Sequence, residues 1–408
     1  MPFPLNASET NLPEPLFRLQ HYTITAPLLP VLRTATAGPS QPKSPLPHAY
    51  ILVSGLGDTL GTLPYIPRLA NVLQSRSRSG DESSPGPGWE LLLPTLSSTG
   101  GGWGTASLEG DARELSELIH FLRQEEVDRF PDPSSRPHRH IVIHGHSTGC
   151  QDLVQWLSET RTAPNGVPLS SLPAQMQDSA SILTISAAIF QAPVSDVEDF
   201  VLRVVPAAQR NPTLKRSVDM LELSKKMIAD GKGHCLLPRE HVAVLTPEHG
   251  PPAWSLPSSV AQDKTVPPPP TASDPVANGA VTAYRHHSLH EPLGDDDFFS
   301  SPRLISDENL RKGRLARAIS KAEESDTKLL FLFSAEDQYV HEDLRKDEAT
   351  IGRNFLNRWA SLQSDKGKEL GTYTAQIVPG ADHGIHDEDA QIKMLQLVTG
   401  LLDRLESA

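Results

Sequence analysis

Ser147 stands in the run Ile141-Val142-Ile143-His144-Gly145-His146-Ser147-Thr148-Gly149, where a β-rich segment delivers Gly-x-Ser-x-Gly directly into a helical pattern. That order predicts a strand, a sharp turn and a helix, with the serine on the turn and its hydroxyl lifted above the sheet. Gly145 and Gly149 let neighbouring backbone pass where a Cβ would clash. The helix that follows would aim its first N–H groups, and the positive end of its dipole, at negative charge developing on a substrate oxygen. A plain Gly-flanked turn is the bland alternative, and the strand before and helix after the motif argue against it.

A serine hydroxyl is a weak nucleophile near neutral pH and needs a base that a carboxylate orients. Two later segments supply these in the order acid, then histidine. Ser334-Ala335-Glu336-Asp337-Gln338 follows the apolar run Lys328 to Phe333, and Pro379-Gly380-Ala381-Asp382-His383-Gly384 follows Tyr373 to Val378. Both fall at C-terminal ends of expected strands, where open α/β sheets carry their sites. Asp337 is preferred to Glu336, Asp343 and Asp382 because it lies a few residues beyond a strand; Asp382 adjoins the base in sequence and is poorly placed to face it. His383 is preferred to His386 because it follows the Pro-Gly turn most closely. The glycine-rich Ser54-Gly55-Leu56-Gly57-Asp58 suits an oxyanion loop, with the N–H of Leu56 pairing that of Thr148. The chemistry expected is attack of Ser147 on an ester carbonyl, an acyl-enzyme, and hydrolysis by water, with no cofactor. Acyl transfer to an alcohol or amine would use the same triad. A non-catalytic scaffold would be expected to lack a triad member, and all three positions are filled.

The elements needed to hold these residues are legible as short Ile/Val/Leu-rich runs: Tyr50 to Ser54, Glu90 to Leu93, His140 to His144, Ile182 to Gln191, Lys328 to Ser334 and Tyr373 to Val378. They read as buried strands of a mostly parallel sheet. Leu108, Ala112, Leu115, Leu118, Ile119 and Leu122 recur at helical spacing, with polar residues including Asp111 between them, and predict one amphipathic helix. Further helices are expected over Gln151 to Leu157 and Ile392 to Leu405. The alternation predicts a doubly wound α/β-hydrolase fold. Residues 1–195 and 326–408 would form its core. Residues 196–325 would be a lid-like insertion, with helices near Val197 to Val205 and Asp219 to Ile228 and a Pro-rich stretch from Pro247 to Gly279. Thr34 to His48, Ser75 to Gly88 and Pro131 to Pro137 read as loops.

Over 408 residues the formal charge is −13, which disfavours binding to nucleic acid or anionic membrane; Arg76 and Arg78 make no basic patch beside Asp81 and Glu82. With 2 cysteines, Cys150 and Cys235, a disulfide framework is not expected. Met1 to Ala26 carries no apolar leader, so a cytoplasmic protein is expected. His138, His140, His144 and His146 alternate along one run but lack accompanying carboxylates or thiolates, so no metal site is expected. Cys150 reads as a small packed residue. Trp103 could wall a substrate pocket or pack in the core, and Asp295-Asp296-Asp297 reads as a solvated loop.

His144-Gly145-His146-Ser147-Thr148-Gly149-Cys150-Gln151-Asp152, Gly101-Gly102-Trp103-Gly104, and Tyr284-Arg285 with Asp295-Asp296-Asp297-Phe298-Phe299-Ser300-Ser301 resemble the fungal siderophore esterases, long catalogued as a domain of unknown function. The resemblance runs from about Tyr50 to the C-terminus and is weakest through the Pro-rich stretch. It implies an intracellular hydrolase that opens ester bonds of fusarinine-type hydroxamate siderophores and so releases iron, with Ser147, Asp337 and His383 as its triad. It marks the acidic triplet and Arg285 as family features without an assigned role; Trp103 and Arg285 are carried forward as candidate substrate contacts. A ferric siderophore would be the small-molecule partner. A lipid ester, bound in an apolar tunnel rather than a polar cleft, is the competing substrate.

Overall fold

In a computed structural model of the chain, the residues described are 17–23, 28–34, 45–76, 87–159, 185–210, 212–238 and 280–407. The Pro-rich stretch from Pro247 to Gly279 and Arg78 lie outside them. The strands are β1 (Phe17–His21), β2 (Pro30–Thr34), β3 (His48–Val53), β4 (Trp89–Pro94), β5 (Ile141–His146), β6 (Ala187–Gln191), β7 (Lys328–Ser334) and β8 (Tyr373–Val378). They form one 8-stranded sheet in the order β1-β2-β4-β3-β5-β6-β7-β8. From β4 to β8 every pairing is parallel, and β1 and β2 add an antiparallel edge. The register sets Ile51 opposite Ile143, Ile143 opposite Ala188 and Ala188 opposite Leu329, so apolar side chains run in rows across the centre. This is the α/β-hydrolase fold.

Both faces of the sheet are covered, because strands buried on both sides must find apolar partners on both sides. On one face lie α1 (Ile66–Arg76) and the C-terminal helix Glu388–Glu406, whose Met394, Val398 and Leu402 pack with Leu69 and Leu73 against Tyr50, Val142 and Ile189. On the other lie α2 (Leu108–Arg129), α3 (Gly149–Ser158) and the helix Arg314–Glu324. Each fully buried Leu or Ile contributes roughly 1.5–3 kcal/mol. The amphipathic stripe from Leu108 to Leu122 is the buried face of α2, and Ser107 caps the helix by accepting from the Gly110 N–H.

Several boundaries differ from the sequence reading. β1 and β2 were not expected: β1 is mostly exposed, and β2 carries Arg33, whose buried charge interrupts the apolar signal. Glu90 neutralises it, at 2.6 Å from Arg33 and 2.9 Å from Arg139. β6 begins at Ala187, and Ile182 to Thr184 lie outside the described residues. The loop expected from Ser75 starts later, because Arg76 ends α1 and pairs with Asp403 and Glu406. Between β6 and β7 the described residues include the helical segments Asp196–Asp199, a π-turn at Phe200–Val204, Val205–Ala208, Pro212–Ala229 and Ala283–His290. Leu315, Ala318, Ile319 and Ala322 belong to the main core, so Arg314–Glu324 is a helix of the central domain although residues 196–325 were grouped as an insertion. Among the described residues no helix is long and apolar enough to cross a membrane.

Candidate active site

β5 ends at His146, and the chain turns at Ser147 with φ 54°, in the left-handed region that a residue with a Cβ adopts only under constraint. The constraint is close packing: a Cβ on Gly145 would sit 2.4 Å from the Gly149 carbonyl oxygen, and one on Gly149 would sit 2.6 Å from that of Val53. The Ser147 N–H donates to the Gln191 carbonyl at 3.0 Å, fixing the turn to β6.

The loops after β7 and β8 deliver Asp337 and His383 to this turn. His383 Nε2 lies 2.7 Å from Ser147 Oγ, and Nδ1 lies 2.8 Å from Asp337 Oδ2. Asp337 is 1% exposed and His383 8%. The Tyr339 N–H donates to the other Asp337 oxygen at 2.9 Å, and the His383 N–H donates to Gln338 Oε1 at 3.1 Å. The Tyr339 ring stands edge-on to the imidazole at 4.6 Å. Burial works against the charged imidazole, but Asp337 beside it, by charge and by hydrogen bond, more than compensates, and the pKa of His383 lies above its usual value. With Nδ1–H held by Asp337, Nε2 is the nitrogen free to take a proton from Ser147.

The other candidates fall elsewhere. His386 pairs with Asp382 at 2.7 Å in an exposed loop. Asp343 is also exposed, beside Arg303 and Lys346. Leu56 and Thr148 both line a pocket beside Ser147, and among the described residues neither N–H donates to a protein acceptor. Asp58 Oδ2 accepts from the Gly55 N–H at 3.0 Å and so shapes the loop that presents Leu56.

Trp103 is half-buried; it lines this pocket and packs beside Val281 and Ala283. Arg285 lines the same pocket from the helix Ala283–His290 but is anchored by the protein, Nη1 at 2.6 Å from Asp296 Oδ2 and Nε at 3.1 Å from the Trp103 carbonyl. The acidic triplet is not a solvated loop. Asp296 and Asp297 are buried, Asp297 receives Ser300 and the Leu293 N–H, and the more exposed Asp295 receives Tyr284 and Arg314.

The histidines of the β5 run serve different partners. His144 Nδ1 meets the Tyr50 hydroxyl at 2.7 Å, and burial lowers its pKa to about 3. His146 bonds Gln191 Oε1, whose amide nitrogen donates to the His383 carbonyl at 3.1 Å; the two imidazole rings lie 4.9 Å apart. Burial first, then charge on His383, pushes the pKa of His146 well down, so it stays neutral beside the site. Cys150 is fully buried and donates to the Gly145 carbonyl at 3.2 Å.

Sequence reasoning missed Asp58, Gln191, Asp111, Asp152 and Asp196 as groups surrounding the turn. One signal was present. Asp111 occupies a core-facing position of α2, three residues after Leu108 and four before Leu115, where a carboxylate needs a reason to be.

A sheet of this order with a serine on the turn after β5 defines an α/β hydrolase. The chain belongs to the family described as "Protein of unknown function (DUF1749)", which it matches over residues 33–263 and 253–406. It is 28% identical over 386 residues to "Fusarinine C esterase sidJ" of Aspergillus fumigatus, covering 91% of this chain and 90% of that protein. It is 28% identical over 350 residues to "Esterase AN6793" of Emericella nidulans, covering 83% and 80%. Among solved structures it is similar to "Siderophore hydrolase EstB from Aspergillus fumigatus", with a TM-score of 0.64 and 25% identity over 98% of this chain and 100% of that one.

Proposed function

We propose that this chain, a carboxylic-ester hydrolase of the α/β-hydrolase fold, hydrolyses ester bonds of fusarinine-type hydroxamate siderophores inside the cell, with Ser147, His383 and Asp337 as its triad. The observation that carries the chemistry is the unbroken line from Ser147 Oγ through both imidazole nitrogens to a buried carboxylate, at 2.7 and 2.8 Å. Ser147 Oγ attacks the ester carbonyl as His383 Nε2 takes its proton. The N–H groups of Leu56 and Thr148 hold the tetrahedral oxyanion, and His383 then gives the proton to the departing alcohol oxygen. Water, deprotonated by the same imidazole, attacks the acyl-enzyme and releases the acid and free Ser147. Asp337 keeps Nδ1 protonated throughout.

The substrate rests on the relatives called fusarinine C esterase and siderophore hydrolase, and on the character of the walls. The pocket beside Leu56 and Thr148 is lined by Ser54, Ser98, Asp111, Asp152 and Arg285, which suits a polar substrate better than a lipid chain. Arg285 reaches it from the helix Ala283–His290, so that helix covers this side of the site. The test is hydrolysis of ferric and iron-free fusarinine-type siderophores beside short and long p-nitrophenyl esters, with Ser147→Ala as control. Selective, Ser147-dependent cleavage of the siderophores supports chemistry and substrate together; cleavage of simple esters alone keeps the hydrolase and removes the siderophore.

A further inference from the structure

The pocket against the oxyanion loop is small, with a volume of about 10 Å³ that admits one group the size of a water molecule, and its far wall is made by Asp111 of α2, Asp152 of α3 and Arg285. The carboxylates outnumber the cation. Arg285 is committed to Asp296, whose Oδ2 also accepts from Ser288 at 2.6 Å. Asp111 is 1% exposed and interacts by hydrogen bond with Ser98 and Asp152, but its Oδ1 has no hydrogen-bond partner among the described residues. Asp196, half-buried at the start of the helix after β6, has a buried oxygen with no hydrogen-bond partner among the described residues and interacts electrostatically with Arg285 and His383. Buried carboxyls are normally bonded or paired, so an orphaned oxygen in a cavity wall marks a place for a partner that comes from outside.

We propose that Asp111 and Asp152 form a subsite for a primary ammonium group carried by the ester substrate, a few bonds from the scissile carbonyl. This rests on the esterase reading above. Burial raises the pKa of Asp111 to about 7 and that of Asp152 well above its usual range, so the empty pair retains proton that a cation would displace to solvent. An ammonium brings three N–H donors and a positive charge to this carboxylate-rich wall, and Asp111 Oδ1 carries no hydrogen bond from a described residue. Arg285, held by Asp296 and the Trp103 carbonyl, would keep the wall rigid. The net charge of −13 favours the approach of cations over anions.

The test uses the full chain and matched short-chain esters that end in ammonium, hydroxyl, methyl or carboxylate. In one series the group sits on the acyl part, in the other on the alcohol part. The expected result is a kcat/KM at least about tenfold higher for ammonium than for hydroxyl or methyl in one series, the discrimination a site built for a polar group achieves. Asp111→Asn and Asp152→Asn, confirmed folded by thermal melting, should each bring that ratio down at least about fivefold. The wild-type ratio decides on its own if the variants do not fold. Equal kcat/KM for ammonium and neutral esters overturns the subsite and leaves the esterase standing, as does an undiminished ratio in folded variants. Preference for the carboxylate ester overturns it in favour of Arg285 as an anion contact. Absence of Ser147-dependent cleavage in both series, with the fusarinine-type siderophores still cleaved, overturns the subsite and leaves the esterase standing; absence of cleavage of the siderophores as well overturns both.

Discussion

Two clusters of buried charge lie at opposite ends of the same sheet, and they differ in whether the charges are matched. At the N-terminal end of the parallel strands, Glu90 is fully buried between Arg33 and Arg139, and Arg33 also holds Glu125 at 2.6 Å. Arg139 has its remaining donors on the Pro47 and Leu122 carbonyls. At the C-terminal end, Asp111, Asp152 and Asp196 surround the serine turn with raised pKa values, and Asp111 and Asp196 each keep an oxygen with no hydrogen-bond partner among the described residues. The first cluster is complete and ties β2 to β4, α2 and β5; the second is incomplete and lines a pocket. Saturated charge is architecture, and unsaturated buried charge marks where the molecule is left open to a ligand.

The comparison breaks if substitutions at the two ends have the same kind of effect. At the site end, Ser147→Ala should lower kcat by about 10⁴–10⁶-fold, as removal of a nucleophile does elsewhere, while chemical denaturation shows stability within about 1 kcal/mol of wild type. At the other end, Glu90→Ala leaves two buried guanidinium groups facing one another. It should cost about 3 kcal/mol of stability in urea unfolding. In the fraction still folded, kcat on a simple ester should stay within about twofold of wild type, because nothing at that end touches the turn. Full activity in a folded Ser147→Ala protein would remove the site; an unshifted urea midpoint for Glu90→Ala would remove the claim that the first cluster holds the sheet.

How much of this was legible in the sequence follows the same division. The central strands β3 to β8 and helices α2 and α3 could be read because continuous apolar runs and a helical stripe are local patterns. The serine turn could be read because its steric demands are written in the glycines around it. β2 could not, since its burial depends on Glu90 arriving from a strand more than fifty residues away; Arg33 looks exposed until that partner is present. The acidic triplet was misread for the same reason. Asp296 and Asp297 are neighbours in sequence, but their partners, Arg285, Ser288 and Ser195, come from other elements. Long-range neutralisation leaves no mark on composition or spacing.

The pH response sharpens the site end of the comparison, because the direction of the shift fixes its sign. In the proposed mechanism His383 must be neutral to accept the serine proton, and its pKa is raised above 6.5 by Asp337. The acid limb of kcat/KM should therefore be centred above pH 6.5, with activity falling as pH drops through it. Stability moves the other way. The charged imidazole beside Asp337 contributes fully below about pH 6.5 and is lost as pH rises through the folded pKa. A pH profile of kcat/KM, set beside thermal melting of Ser147→Ala across the same range, checks both signs; a limb below pH 6.5 would contradict the pairing.

The smallest effect is expected three residues away, at His386. It has the same partner chemistry as His383, a carboxylate at 2.7 Å from Nδ1, and its pKa is also raised, here chiefly by the hydrogen bond to Asp382. What it lacks is surroundings. Its side chain is 48% exposed and that of Asp382 is 37% exposed, so water competes for both and salt screens the pair. His386→Asn should accordingly change kcat/KM on a simple ester by less than about twofold and stability by less than about 0.5 kcal/mol. It should also leave the acid limb in place, because His383 keeps its contact with Asp337. A displaced limb in His386→Asn would mean that the two pairs titrate together across the loop that joins them, and the division between a buried working pair and a solvated bystander would have to be redrawn.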